Sequence, residues 1–393
     1  MGRSINSNNL SKKYILDKVS QLNIFSKYFN IPIQTIQHCI DAGQLILSPI
    51  RNDEHPTVGF RYDNKGKLKM RDFAGYFWGD CFDAVAYIIS QIEKTPINIS
   101  NKDCFMKVLR HITFTFKDIF YGEEIDESLT QQIKDAIDFS KNTKPVIELV
   151  VRNWNENDKF YWNEIGVNLQ HLNINFVYPI EQYYINRNIN PEPKYYYKQT
   201  DPCYAYFLGR DRNGINNIKL YFPYRDKKAI KFITNANHLE GIYNLDRNDY
   251  DYIIITKSSK DRLSIGCTIA SIFPYGEFPN MKIGVINIPH ETYKLRYIEY
   301  DWLKSKLKEN GLLVSLMDND RTGIKEANYL RKAYNIIPIF IPKYSGCKDF
   351  AEYRNKVDIS IISDNILQTI NYVNNYESIK HSWYKKQNSI APF

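Results

Sequence analysis

The 393-residue chain contains no run of eighteen apolar residues, and its opening stretch, MGRSINSNNLSKKY, has no apolar segment behind its charges. Neither a membrane span nor a secretory leader is therefore expected, and a cytoplasmic protein is. The six cysteines (Cys39, Cys81, Cys104, Cys203, Cys267 and Cys347) are scattered singly. They form neither the close pairs of a zinc site nor the dense framework of a secreted scaffold, so reduced thiols are expected. No G-x-x-x-x-G-K-[ST] loop occurs, which removes the P-loop motors, and no internal repeat or low-complexity tract is present.

Basic residues, by contrast, are in excess: 52 Lys and Arg against 44 Asp and Glu, a net charge of +8. A basic surface gains affinity for a polyanion by releasing the counterions condensed on its phosphates. The abundance of Ile, Asn, Lys and Tyr is also what an AT-rich genome would encode, so charge alone leaves both readings open.

Apolar residues at helical spacing place helices over residues 11–45, closed by Gly43 where a C-terminal cap belongs. TVGFRYDNKGKLKMRDF alternates apolar and polar residues around Asn64-Lys65-Gly66, a β-hairpin pattern. Asp80 then caps a helix whose Phe82, Val85, Ala86 and Ile89 share one face. The stretch from about 115 to 145 is acidic and polar, so residues 96–145 read as a helical linker, and a new domain begins near Lys144. The cluster NPEPKYYYKQTDP marks an exposed loop. From about 250, short apolar runs alternate with helices: YIIIT, a helix from Ser259, CTIASIF, a helix around DWLKSKLKEN, LLVSLMD, a helix from Thr322, and IIPIFI. That alternation predicts a parallel sheet with its ligands beyond the carboxyl ends of the strands.

The sharpest local feature is GLLVSLMDNDRTGIKEANYL, an apolar strand running into Asp318-Asn319-Asp320. Side chains two apart on an extended segment point the same way, so the two carboxylates repel unless a cation bridges them. Few oxygen ligands suit a Mg²⁺ that keeps waters and binds substrate phosphates. A strand-to-helix turn with a capping Asp accounts for the same residues.

DNDRTGIKEA resembles the DxDxxG element of the TOPRIM domain of DnaG-type primases, topoisomerases and OLD-family nucleases. YIIITKSSKDRLSI resembles the first element of that domain, with Asp261 at its acid position. Lys257 stands where the family carries a glutamate, and the T-K-S-x-K-D form resembles phage primases. Glu277 in ASIFPYGEF is the candidate for the displaced acid. IPKYSGCKDFAEY resembles the closing element, in which Lys348 contacts phosphate and Asp349 serves the metal or positions the loop; helix capping by Asp349 is the alternative. Lys260 joins Lys257 and Lys348 as a nucleotide or template contact.

NIKLYFPYRDKKAIKFITNANHLEGIYNLD resembles the other half of the primase core. The resemblance turns Lys219, Arg225, Lys231 and Asn235 toward the cleft to hold template backbone and nucleotide phosphates. LSPIRNDEHPTVGFRYDNKGKLKMRDFAGYFWGDCFDAVAYI resembles the zinc-binding domain of these primases, but Ser48-Pro49-Ile50-Arg51 replaces the Cys-x-x-His and no Cys-x-x-Cys precedes Gly79-Asp80. Four-coordinate zinc cannot be built there. A metal-free relic, packed on Phe60, Phe73, Tyr76, Phe77 and Trp78, is expected.

The resemblance thus implies an α/β, multi-domain chain. Residues 1–95 form N-terminal helices and a zinc-ribbon-like, metal-free template-binding domain, and 96–145 a helical linker. An α+β primase subdomain occupies 146–247, a TOPRIM parallel-sheet catalytic subdomain 248–350, and a helical tail 351–393. The implied function is a DNA primase making short RNA primers on single-stranded DNA during phage DNA replication. Asp318 and Asp320, with Asp261 or Glu277, would hold Mg²⁺ or Mn²⁺ that bridges the incoming phosphates. Ribonucleoside triphosphates are the substrates. About forty residues follow the TOPRIM segment, so a fused helicase is not expected and a separate replicative helicase is the natural partner. SIKHSWYKKQNSIAPF reads either as a docking peptide or as a loose terminus. Two rival readings remain: a TOPRIM nuclease cutting phosphodiesters with the same acids, and a catalytically degenerate adaptor that binds single-stranded DNA. No tyrosine among 31 singles itself out for a topoisomerase.

Overall fold

The computed structural model describes residues 10–53, 55–226, 229–273, 281–290 and 292–376. The chain opens with three helices, α1 Lys12–Leu16, α2 Gln21–Phe29 and α3 Ile33–Ala42, as the helical spacing predicts. A hairpin follows, β1 Val58–Tyr62 against β2 Leu68–Asp72, and a short β3 Trp78–Gly79 adds to β2. Its turn needs Gly66, which sits at φ +72, a region a side chain would strain. Helix α4, Cys81–Glu93, starts in a capping box. Asp80 accepts the Phe82 and Asp83 amides while Asp83 accepts that of Asp80. Helices α5 Lys102–Thr115, α6 Lys117–Tyr121 and α7 Glu127–Asn142 come next, then β4 Ile147–Val151, α8 Glu156–Glu164 and α9 Leu169–Ile174. After them come β5 Val177–Ile185, β6 Tyr195–Tyr196, β7 Tyr204–Arg210, β8 Asn216–Tyr221 and β9 Phe232–Thr234. The last part runs β10 Tyr250–Thr256, α10 Ser259–Ile272, β11 Ile283–Asn287, α11 Tyr297–Ser305, β12 Leu307–Leu316, α12 Arg321–Tyr334, β13 Ile337–Ile339, α13 Phe350–Lys356 and α14 Ile359–Asn374. The whole is mixed α/β. No helix among the described residues is long and apolar enough to cross a membrane.

By its contacts the chain divides into two compact units: residues 1–151, 180–204 and 219–235, and residues 152–179, 205–218 and 236–393. In the first unit one core joins Ile24, Phe25 and Phe29 of α2, Val58 and Met70 of the hairpin, and Val85 and Ile89 of α4. The same core takes in Val108, Leu109 and Ile112 of α5 and Ile133 and Ile137 of α7. Residues 96–145 are thus not a spacer. Their few apolar side chains recur at helical spacing, and that suffices to bury one stripe under a polar exterior. Elsewhere in this unit β4 and β6 run antiparallel to β5, and β8 antiparallel to β9.

Around the three-stranded sheet β1-β2-β3, Phe60 and Phe77 are buried as expected, but Phe73 and Trp78 are 41% and 70% exposed. Pairing of Trp78 with Arg71 across the sheet turns the indole outward, where Lys69 lies 5.2 Å from its ring centre. Arg71 likewise covers Phe73 at 4.8 Å. What holds this part together is an ion network. Arg51 donates to Asp72 at 3.1 Å and to Thr57 at 2.8 Å, and pairs with Asp53. Burial pushes the Asp72 carboxyl up while Arg51 pulls it down. A guanidinium fork thus ties the loop that carries Arg51 to the end of β2.

In the second unit the sheet is parallel throughout, in the order β11-β10-β12-β13. Ile253 and Ile255 point to one face, with Leu303 of α11 and Ala327 and Leu330 of α12. Tyr252 and Ile254 point to the other, with Ile265 of α10, Phe350 of α13 and Ile362 and Ile370 of α14. A sheet buried on both faces explains the continuous apolar runs. CTIASIF, expected as a strand, is the second half of α10, and the strand is β11 in MKIGVINIP. Ser258 caps the helix through the Asp261 amide, so the β-branched residues continue a helix already begun. α14 closes one sheet face rather than trailing as a tail, and SIKHSWYKKQNSIAPF lies outside the described residues from Glu377 on.

Replacing Arg51 by Ala leaves two buried carboxylates without their partner and should cost about 3–5 kcal/mol in urea unfolding. A cost of 1 kcal/mol or less, the level of a surface pair, would show that the network is not the tie.

Candidate active site at the carboxyl ends of two parallel strands

From β10 the chain moves to β11 on one side of the sheet, and from β12 to β13 on the other. Their following helices lie on opposite faces, α10 with Ile254 and Leu316, α12 with Ile253 and Ile255. Connections that diverge from neighbouring strands leave a crevice at the strands' carboxyl ends, the usual ligand place in an open α/β sheet. Thr256 and Leu316 are register partners at that end, tied further by the Thr256 hydroxyl to the Leu316 carbonyl at 2.8 Å. Lys257 lies directly beyond one strand and Asp318 two residues beyond the other.

The two side chains meet: Lys257 Nζ is 3.1 Å from Asp318 Oδ2, and the side chains are only 12% and 10% exposed. Asn319 supplies the next link. Its amide donates to the Lys348 carbonyl at 2.7 Å and its side chain to the Ile341 carbonyl at 3.0 Å, drawing the loop before α13 against the acidic turn. Lys348 Nζ then lies 3.0 Å from Asp320 Oδ2 and 3.6 Å from Asp318 Oδ2. Lys260 Nζ is 3.0 Å from Asp349 Oδ2. The segments 257–261, 318–320 and 348–349 are therefore brought together.

Three of the four aspartates use one oxygen for a backbone amide. Asp320 Oδ1 accepts from Gly323 at 2.8 Å, Asp349 Oδ1 from Glu352 at 2.8 Å and Asp261 Oδ1 from Ala351 at 3.0 Å. Both Asp320 and Asp349 therefore cap a helix while pairing with a lysine through the other oxygen. The glycine of the motif is explained by packing: a Cβ on Gly323 would lie 2.2 Å from the Asp318 carbonyl oxygen. Only a residue without one lets α12 start this close to the acidic turn.

The charges are unevenly tuned. Burial pushes the Asp318 carboxyl up, against the pull of Lys257. The Gly323 amide holds Asp320 below the usual range, and the bond to Asp320 holds the Lys348 ammonium above its own. Asp261 is fully enclosed, and burial first, then the charge of Asp349, pushes it up to about 6.

The donor set does not fit a resident divalent ion as arranged. Among the described residues no group of three or more His, Cys, Asp or Glu is placed to hold a metal. Three ammonium groups already stand against the four carboxylates. A divalent ion roughly 4 Å from one ammonium would meet a repulsion of about 8 kcal/mol at an effective dielectric near 20, twice the value for unit charges. Glu277, the candidate fourth acid, lies outside the described residues.

The remaining expected contacts belong to the first unit. Arg225 is committed locally, with Nε and Nη2 donating to Asp201 at 2.8 and 2.7 Å and its guanidinium 3.4 Å over the Phe222 ring. Lys219 is buried, at 6% exposure, with its ammonium 5.2 Å from the Phe232 ring centre. Asn235 donates to the Pro145 carbonyl at 2.8 Å, and Lys231 is half-buried.

One acid escaped the motif reading. Glu240, 1% exposed, pairs its backbone with Asn287 at the carboxyl end of β11, and its carboxylate accepts from the Asn287 amide at 2.9 Å and from the Ser259 hydroxyl. It anchors the start of α10. Its signal in the sequence is a lone glutamate wedged between an apolar residue and a glycine in HLEGIY, without a motif to mark it.

No protein-family model and no curated protein matches the chain. Among solved structures, similarity extends to a chain in an assembly of bacteriophage T7 lagging-strand DNA polymerase interacting with primase domains of two gp4 subunits bound to an RNA/DNA hybrid and dTTP. The TM-score is 0.33 at 16% identity, over 56% of this chain and 96% of that one.

The raised Asp261 carboxyl gives a signed test. A group whose folded pKa lies above its unfolded value stabilises most below the unfolded value, and that contribution is lost as pH rises through the folded one. Asp261→Asn should therefore gain on the wild type by roughly 2 kcal/mol between pH 4 and pH 8, read from denaturant melts. An offset independent of pH would contradict the burial of an ionising group there.

Proposed function

We propose that this chain is a primase-type nucleotidyltransferase, joining ribonucleotides on a single-stranded DNA template at the crevice between β10 and β12. The observation that carries the reading is the meeting of three motif segments at the topological switch point, where Lys257, Asp318, Asp320 and Lys348 lie within one set of ion pairs. The TOPRIM-like order of those segments in the sequence supports the same chemistry, and a net charge of +8 suits a nucleic-acid partner.

In this reading Lys348 exchanges its carboxylate partners for the phosphate oxygens of the incoming triphosphate, while Lys257, still beside Asp318, adds its charge to the same crevice. Asp318, whose carboxyl is pushed up by burial, is the more basic of the two crevice aspartates and accepts the proton of the attacking ribose hydroxyl. The hydroxyl oxygen forms its bond to the α-phosphorus as the α–β bridging bond breaks, and pyrophosphate leaves with the electron pair. Asp320, held ionised by the Gly323 amide, keeps Lys348 oriented toward the crevice. Such a reaction asks for placement and charge neutralisation more than for covalent help from the protein. The divalent ion expected from the motifs enters as part of the triphosphate substrate. A separate helicase as partner belongs to this same proposal.

The pairing of Lys257 with Asp318 also favours a second reading, the single-stranded-DNA-binding adaptor, because a salt-bridged acid needs no reaction to explain it. Incubating the full chain with labelled ribonucleoside triphosphates, Mg²⁺ or Mn²⁺ and single-stranded DNA distinguishes the two. Template-dependent oligomers, reduced about 100-fold or more in Asp318→Asn, are expected. Intact DNA binding with no product in any metal would assign the adaptor instead, and cleavage without triphosphate would assign the nuclease.

A further inference from the structure

Lys257 departs from the pattern its neighbours follow, since it sits where a carboxylate is expected and faces Asp318, the more enclosed of the two aspartates of the acidic turn. Its ammonium is 3.1 Å from Asp318 Oδ2, and only 12% of its side chain is exposed. Lys348 reaches the same oxygen at 3.6 Å and Asp320 at 3.0 Å, so two ammonium groups share two carboxylates two residues apart in sequence. That is the arrangement a bridging cation would make with the same acids.

We infer that Lys257, with Lys348 beside it, takes the place of a resident divalent cation at the switch-point crevice, so that the protein alone binds no divalent ion there. The inference rests on the nucleotidyltransferase reading for its purpose but not for its test. Lys348 is half-exposed and its flexible stem can swing aside, whereas Lys257 is enclosed beside the paired strand ends and cannot leave without abandoning a buried charge. Its charge is also covalently part of the chain: no chelator removes it, and no competing metal replaces it. The one consequence for the reaction is that divalent ions arrive with the triphosphate and leave with pyrophosphate.

The test is a Mn²⁺ titration of the full chain without nucleotide or DNA, following the free aquo-ion by electron paramagnetic resonance. The wild type should leave the Mn²⁺ signal at the level of the buffer. Lys257→Glu restores a third carboxylate and removes a repelling charge, and it should bind Mn²⁺ at least about tenfold more tightly than the wild type. Lys257→Met, which removes the charge without adding a second anion beside Asp318, should show a smaller gain in the same direction. Thermal melts establish that each variant is folded. Mn²⁺ bound by the wild type and lost in Asp318→Asn would overturn the inference, as would folded Lys257→Glu and Lys257→Met variants that bind no better than the wild type. A null result for primer synthesis would leave this titration intact, so failure of the functional reading and failure of the inference are distinguishable.

Discussion

The contact between Lys257 and Asp318 is the constraint on which the arrangement at the carboxyl ends of the second unit's sheet depends. Each residue lies just past the carboxyl end of a central parallel strand, and the register of Thr256 with Leu316 sets their separation. Once the pair is made, the rest of the site is built outward from it. Asn319 ties in the loop that brings Lys348 and Asp349, and Gly323 lets α12 begin against the acidic turn. Asp261 on α10 is held by the Ala351 amide at the start of α13, so the helices that follow the strands are locked to the same centre. A buried pair of this kind adds little net stability compared with apolar packing, but losing one partner is expensive. Both charges are therefore retained together or lost together.

An enclosed ion-pair tie recurs in the first unit, where Arg51 grips Asp72 and Asp53. An Arg fork spans the loop and the β2 end in one geometry and so cross-links them. The outward turn of Trp78 follows from its pairing with Arg71 across the sheet, and both Trp78 and Phe73 lie beneath a cation.

Much of this was legible in the residues. The hairpin, the Asp80 cap, the helices of the first forty-odd residues and the parallel sheet follow from periodicity and turn chemistry, because those elements bury one clear face each. The acidic strand end was legible for the same reason: an apolar run ending in two aspartates leaves few structures open. The failures were of context. CTIASIF has the composition of a strand, and only the cap at Ser258, nine residues earlier, commits it to helix α10. The sparse apolar positions of α5 and α7 read as solvated until their partners in the same core are known. The lysine partners of the acids, and the buried Glu240 at the end of β11, come from separate parts of the chain, and a linear pattern cannot pair them.

The central claim is that the crevice between β10 and β12 receives triphosphate on its ammonium groups. Calorimetric titration of a Mg²⁺–ribonucleoside triphosphate into the full chain and into Lys257→Met tests it most directly. At least a tenfold loss of affinity is expected in the variant, about 1.4 kcal/mol, with the melting behaviour of a folded protein. Equal affinity in the two proteins would place the triphosphate elsewhere and contradict the account.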